Sequence, residues 1–91
     1  MKTLKLNATG WRSVADFYDS LLSHLGAPEW HGRNVNALVD SVVYGGINRV
    51  NPPFVIRIER IGSVPEDARQ ELAWAMESIG QADGVVWELV P

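Results

Sequence analysis

The sequence predicts an α/β fold in which a three-stranded parallel sheet packs against helices. Three stretches have strand character, namely residues 2–7, 54–58 and 85–90. Between them, apolar residues recur at helical spacing, in two patterns after the first strand and one after the second. Strands separated by helices are most simply parallel. The expected order is therefore β-α-α-β-α-β within one domain of 91 residues, and three helices are too few to cover both faces of the sheet fully.

The first helix has clear start and stop signals. Ser13 and Asp16 form a capping-box pattern, in which the serine oxygen accepts a free N–H and the carboxylate reaches back. Trp11 precedes this cap and is expected to act as a hydrophobic staple. Gly26 and Pro28 stop the helix. Its buried stripe is predicted to contain Val14, Phe17, Leu21, Leu22 and Leu25.

A second, shorter helix is predicted after an ordered loop over residues 28–33. Asn34 is its expected N-cap, and the stretch 44–46 ends it. Helical spacing divides its side chains into two faces. The apolar face holds Val35, Leu38, Val39 and Val42, and the polar face holds Asn36, Asp40 and Ser41.

The third helix begins after Gly62 and Ser63. Pro65 pre-sets the backbone there, and Glu66 and Asp67 complement the positive end of the helix dipole. Its expected buried stripe is Ala68, Leu72, Ala75, Met76 and Ile79, with Gly80 as the cap. Trp74 in this helix and Trp87 in the last strand are expected to be core or core-edge residues.

Composition limits the classes of function. The chain has eleven acidic and eight basic residues, which give a net charge of −3. Nucleic-acid binders usually have the opposite balance. A mildly acidic protein is better suited to bind a basic protein surface. The absence of cysteine excludes disulfides, thiolate metal sites and a cysteine nucleophile. Two histidines are too few for a metal site without carboxylates, and we expect no metal and no cofactor.

Targeting signals are likewise missing from the sequence. No stretch approaches the length needed to span a bilayer, so no membrane partner is expected. Residues 1–7 lack the unbroken apolar segment of a signal peptide. A cytoplasmic location and a monomeric free state are the resulting expectations.

Catalytic motifs are absent, and we expect a binding protein rather than an enzyme. The sequence has no Gly-rich phosphate loop and no Gly-x-Ser-x-Gly elbow. One acid–base set is conceivable, His31 with Glu29 or Asp40, but a lone loop histidine is usually a solvated or hydrogen-bonded surface residue. Nothing beyond proximity in sequence supports that alternative.

Two residues of the loop and second helix have open interpretations. Trp30 either folds back over the edge of the core or serves as a contact aromatic, since tryptophan is enriched at interface hot spots. Asp40 lies near the end of a short helix, where the macrodipole disfavours negative charge. From spacing alone, a solvated helix-end carboxylate is the simpler interpretation of Asp40.

The segment PEWHGRNVNALVD, residues 28–40, is similar to the signature segment of the barstar family. That signature has a proline, an acidic residue, aromatics, Gly-x-Asn and then Ala-Leu-x-Asp on a helix. The opening strand, the Ser-x-x-Asp helix start, the Pro-Pro before the second strand, and the final helix and strand also follow the family order. The resemblance covers nearly the whole chain.

The resemblance implies an inhibitor of secreted barnase-type ribonucleases that holds the enzyme inactive inside the producing cell. It implies that the loop and second helix, Trp30 to Tyr44, plug the active site, with Asp40 where a substrate phosphate would lie and Trp30 packed on the enzyme. Glu77 is an ordinary surface carboxylate unless it lies beside the loop. The candidate ribonuclease-binding residues are Trp30, His31, Gly32, Arg33, Asn34, Asn36, Ala37, Val39, Asp40, Tyr44 and Glu77.

This sequence departs from the family pattern in ways that bear on the partner. Asn36 replaces an aspartate, His31 replaces an aromatic, and Arg33 stands where an acidic residue is common. A basic residue beside the plug is unfavourable against a strongly basic active site. An alternative is therefore a binding module of the same fold for another toxin or a regulatory client.

Overall fold

The computed structural model describes residues 1–80 and 83–91 and shows the predicted order of elements. A π-helical turn, Asp40–Tyr44, continues the second helix, and a 3-10 turn, Ile61–Ser63, follows the second strand. No helix in the described ranges is long and apolar enough to cross a bilayer. The elements are β1 (Lys2–Asn7), α1 (Val14–Leu25), α2 (Val35–Val39), β2 (Phe54–Glu59), α3 (Glu66–Ser78) and β3 (Val85–Leu89).

The three strands form one parallel sheet in the order β1-β2-β3. In the middle of the sheet, Leu4 of β1 is paired with Ile56 of β2, which is paired with Trp87 of β3. Strands connected through helices run in the same direction, as the sequence predicted. The fold is thus α/β, with a three-stranded parallel sheet and three helices.

Only one face of the sheet carries the core. Alternate strand residues point inward and join side chains of all three helices in one buried cluster. On the opposite face, the Arg57 guanidinium lies 3.6 Å from Glu88 and 3.8 Å from Glu59. These groups are partly exposed, so this face stays solvated while the helices pack on the other. The sheet contributes Leu4, Leu6, Phe54, Ile56, Ile58 and Val85 to the core.

The start of α1 differs from the predicted capping box. Ser13 is the N-cap residue, but its side chain makes no capping hydrogen bond. The Asp16 carboxylate instead accepts from the Arg12 backbone N–H at 2.7 Å, one residue before the cap. Trp11 is buried and packs on Phe17 with ring centroids 5.5 Å apart, so the helix entry is fixed by a staple displaced by one residue.

The predictions for α3 need two corrections. The helix ends at Ser78 with buried Ile79 as its cap, and Gly80 does not adopt the left-handed conformation expected of a capping glycine. Trp74 is 54% exposed, because Leu72 and Ala75 face the core and a residue between them is rotated towards solvent. Trp87 does lie at the edge of the core, where its indole N–H donates to the Ile79 carbonyl at 2.8 Å.

Candidate protein-binding site

The loop before α2 packs closely against the first turn of that helix. Asn34 is the N-cap, and its side-chain oxygen accepts from the Ala37 N–H at 2.8 Å, as predicted. A Cβ on Gly32 would lie 2.9 Å from Asn34 Nδ2 and 3.1 Å from Ala37 Cβ. A side chain at position 32 would therefore press on Asn34 and Ala37, and glycine lets the loop approach the helix this closely.

His31 anchors the loop from inside. Its backbone N–H donates to the Pro28 carbonyl at 3.0 Å, and its ring Nδ1 lies 2.8 Å from the Gly32 carbonyl oxygen. Its Nε2 lies 2.8 Å from the hydroxyl of Ser41 in the π turn. The side chain of His31 is buried, so the structure places this candidate contact residue beneath the surface.

Ser41 was predicted on the polar outer face of α2, and this prediction is wrong. The residue is 1% exposed, and its hydroxyl lies 3.2 Å from the Leu38 carbonyl oxygen as well as next to His31. Because Ser41 follows buried Leu38 by three residues and adjoins buried Val42, it lies at the edge of the apolar face. A small polar residue between two core positions is the signal that could have indicated an internal hydrogen-bond partner.

The outer face of α2 and its π turn is a stripe of exposed side chains. Asn36, Asp40 and Tyr44 are spaced four residues apart and lie on one side of the helix. Tyr44 is 79% exposed, and the neighbouring Val43, which the sequence did not single out, is 39% exposed. Trp30 is 74% exposed, so the interpretation in which it folds back over the core is wrong. Exposed aromatic surface therefore accompanies the carboxylate of Asp40.

Asp40 has no charged partner within the described part of the chain. The ion pairs found there join Arg33 to Asp19 and Arg57 to Glu59 and Glu88. The Asp40 carboxylate is exposed in the last helical turn, where free carbonyl groups make negative charge unfavourable. Among residues 1–80 and 83–91, no ion pair compensates this charge.

The positive charge of Arg33 is paired with a carboxylate on α1. Its Nε lies 2.7 Å from Asp19 Oδ1 on α1, with both side chains more than half exposed. Such a pair contributes little stability, about 0.2–1 kcal/mol, but it offsets the positive charge locally. Asp19, on a separate element, has no sequence signal that predicts this contact.

The other candidate residues have mixed positions. Val39 is partly buried against the core, and Ala37 is half-buried beneath Gly32. Glu77 is exposed on α3, a helix that packs against α2. Among the described residues, Glu77 makes no hydrogen bond or ion pair with the loop or with α2. Asn36, Asp40 and Tyr44 share one exposed side of the helix, and exposed Trp30 lies on the loop that the His31–Ser41 contact joins to the π turn. Glu77 lies on a different helix.

The chemistry of this site favours binding over catalysis. His31 and Ser41 have the spacing of a nucleophile and its base, but the hydroxyl is buried and cannot reach a substrate. Both ring nitrogens of His31 face Gly32 or Ser41, so neither Glu29 nor Asp40 orients the ring. In residues 1–80 and 83–91, no group of three or more histidine or carboxylate residues is placed to hold a metal ion.

The comparison with protein families decides the affiliation of the chain. A family model described as Barstar (barnase inhibitor) matches residues 1–87. The chain belongs to the barstar family. No curated protein matches it significantly. The match spans all six elements of the barstar-like fold except the last residues of β3, and it includes the whole loop, α2 and π turn. By this description, proteins of the family are inhibitors and not enzymes, and their partner is a barnase-type ribonuclease.

Proposed function

We propose that this barstar-family chain inhibits a small secreted, guanyl-preferring microbial ribonuclease by inserting the segment from Trp30 to Tyr44 into the active site. The observation that carries the proposal is the exposed Asp40 carboxylate, which has no ion-pair partner among the described residues and sits beside exposed aromatic surface. A carboxylate left in an unfavourable place without compensation is a feature that binding to a cation explains.

The chemistry of the partner explains why a carboxylate suits this role. A ribonuclease site collects Arg, Lys and His side chains to hold a phosphodiester. A carboxylate on a helix can accept charge-assisted hydrogen bonds from the same groups, and arginine offers two of them in parallel. Asp40 would occupy the phosphate position, and the negative net charge of the chain would speed the encounter with a basic surface.

The aromatic side chains supply the apolar part of the interface. Trp30 and Tyr44 are each about three-quarters exposed in the free protein, and large aromatics of this kind dominate interface energies when buried. Gly32, Asn34 and Ala37 shape the loop that presents Trp30, while Asn36 adds hydrogen-bonding capacity beside Asp40. This division separates residues that contact the partner from residues that hold the surface in place.

In this proposal the chain is a binding protein that uses no catalytic step and no cofactor. It acts in the cytoplasm, where an inhibitor holds the ribonuclease inactive before secretion, and it is a monomer when free. The family description supports the inhibitory role, and the occupied ring nitrogens of His31 support the absence of acid–base chemistry.

The alternative client is favoured by one remaining observation. Arg33 and Asn36 both suggested a less basic partner, but the Asp19 carboxylate offsets Arg33. Asn36 is exposed four residues before Asp40 and brings no charge to the face. A barstar-fold module for another toxin or a regulatory enzyme therefore rests on Asn36 alone.

The test is an inhibition titration against a panel of small secreted ribonucleases that includes barnase. We expect stoichiometric loss of RNA cleavage with at least one member. Asp40→Asn should weaken the complex about 10²- to 10⁴-fold, since two charge-assisted hydrogen bonds are each worth roughly 1.5–3 kcal/mol. Glu66→Gln removes one charge from an exposed site on α3 and serves as the matched control, which should inhibit normally.

The outcomes separate the two candidate functions. Equal inhibition by the Asp40→Asn and wild-type proteins would contradict the assigned site. Absence of inhibition across the whole panel would contradict the ribonuclease proposal and favour the alternative client.

A further inference from the structure

One hydrogen bond links the two exposed side chains of the proposed site through their sequence neighbours. His31 follows Trp30, and Ser41 follows Asp40. The 2.8 Å contact between His31 Nε2 and Ser41 Oγ therefore ties the residue after the contact aromatic to the residue after the contact carboxylate. In the described part of the chain, it is the only side-chain hydrogen bond that joins the loop to the π turn.

The geometry fixes the direction of this hydrogen bond when the ring is neutral. The Gly32 carbonyl can only accept, so the ring proton lies on Nδ1. Nε2 is then an acceptor, and the Ser41 hydroxyl donates to it. The single hydroxyl proton is then donated to Nε2 rather than to the Leu38 carbonyl. The longer distance of 3.2 Å between Ser41 Oγ and the Leu38 carbonyl oxygen marks that contact as the weaker one.

We propose that this His31–Ser41 hydrogen bond is the positioning element of the site and fixes Trp30 relative to Asp40 before a partner binds. The expected effect on ribonuclease binding rests on the proposed function, whereas the expected effect on Trp30 in the free protein does not. Both partners are buried, so water does not compete for the bond and its loss leaves a polar atom unsatisfied. A loop held in its bound conformation avoids the ordering cost of association.

Other contacts hold different parts of the segment. Asn34 caps the first turn of α2, and Gly32 packs against that same turn. Arg33 reaches α1 instead. None of these three contacts touches the π turn that carries Asp40, so removal of the His31–Ser41 bond should release Trp30 without unfolding α2.

The first experiment uses the free protein. Long-range proton–nitrogen NMR spectra should show His31 as the Nδ1–H tautomer, assigned by comparison with a His31→Phe variant. With fluorotryptophan incorporated, the Trp30 fluorine signal, assigned by Trp30→Phe, should narrow in Ser41→Ala, because the already exposed side chain loses its fixed position, while the other three tryptophan signals stay unchanged. Ser63→Ala is the matched control, because its exposed hydroxyl also lies near the carbonyl three residues earlier, that of Arg60.

The variants are checked for folding by thermal unfolding, and His31→Phe, which keeps a ring but loses both nitrogens, provides a second route to the same loss. An unchanged Trp30 signal in both folded variants, or an Nε2–H tautomer for His31, would overturn the proposal. Narrowing of all four tryptophan signals would also overturn it, since that indicates general loosening rather than positioning.

The second experiment measures binding to barnase, or to whichever panel ribonuclease the wild-type protein inhibits. If the released loop is competent for one-tenth of the time, Ser41→Ala should bind about tenfold more weakly. In a Trp30→Ala background, the same change should cost less than about threefold, because the side chain that it positions is gone. Equal losses in both backgrounds would show a merely structural role. Failure to bind any ribonuclease would refute the proposed function, and the NMR result would still decide the positioning.

Discussion

Asp40 should reduce the stability of the free protein, and its neutralisation should raise the melting temperature. The carboxylate is exposed, lies in the last helical turn before Gly45, and has no ion pair among the described residues. A charge of the wrong sign at a helix end costs about 0.3–1 kcal/mol, and the exposure of Asp40, at the first residue of that turn, places it in the lower half of this range. For a domain of this size, roughly 0.3–0.5 kcal/mol corresponds to a rise of about 1–4 °C in Asp40→Asn.

The assay is thermal unfolding followed by circular dichroism at two salt concentrations. At about 0.01 M salt the Debye length is roughly 30 Å and the gain should be largest, whereas at about 1 M it should nearly vanish. Glu66→Gln should behave in the opposite way, because Glu66 lies in the first turn of α3, where negative charge is favourable. The two variants thus change net charge equally but should shift the melting temperature in opposite directions.

A lower melting temperature for Asp40→Asn would refute this reasoning. It would mean that the carboxylate stabilises the fold and that the charge of Asp40 is already compensated before a partner binds. An equal rise in both variants would attribute the effect to net charge rather than to position.

Three further predictions concern other described residues. Trp30→Ala should change the free energy of unfolding by less than about 0.5 kcal/mol in denaturant titrations, since the side chain is 74% exposed, yet it should weaken ribonuclease binding; a large loss of stability would contradict its exposed position. Gly32→Ala should lower stability by about 1–3 kcal/mol, because the new Cβ would press on Asn34 and Ala37, and wild-type stability would show that the loop yields freely. Burial raises the pKa of the Tyr18 phenol well above its usual range. The unfolded chain therefore releases this proton at lower pH than the folded chain. The contribution of Tyr18 to the free energy of unfolding is fully present below about pH 10 and falls as pH rises further, by up to about 1.4 kcal/mol per pH unit. Tyr18→Phe should remove this pH dependence from alkaline unfolding curves.

The local signals in the sequence were enough for the elements and their order. Alternating and helical periodicities gave the strand and helix positions, since burial on one side requires them. Asn34 as a cap and Gly26 as a left-handed helix end followed from side-chain and backbone chemistry that acts within a few residues. The segment around Asp40 was found through its resemblance to a family signature, whereas periodicity alone favoured an ordinary surface carboxylate.

Contacts between distant residues were decided by the tertiary structure. Ser41 was assigned to the wrong face because the π turn and the ring of His31, ten residues earlier, determine its surroundings. Arg33 was judged as a free positive charge because its partner Asp19 lies on another helix. Trp74 was expected near the core because tryptophan is usually buried, yet the orientation of α3 exposes it.

The sequence by itself therefore determined the α/β class and the element order, because periodicity, capping and turn chemistry are local, and its resemblance to the barstar signature indicated the segment proposed as the site. Only the tertiary structure decided that Trp30 is exposed, that His31 is buried against Ser41 and that Asp40 lacks an internal cation among the described residues. Exposure and pairing depend on how separate elements pack, and packing brings together residues whose relation leaves no trace in their spacing along the chain.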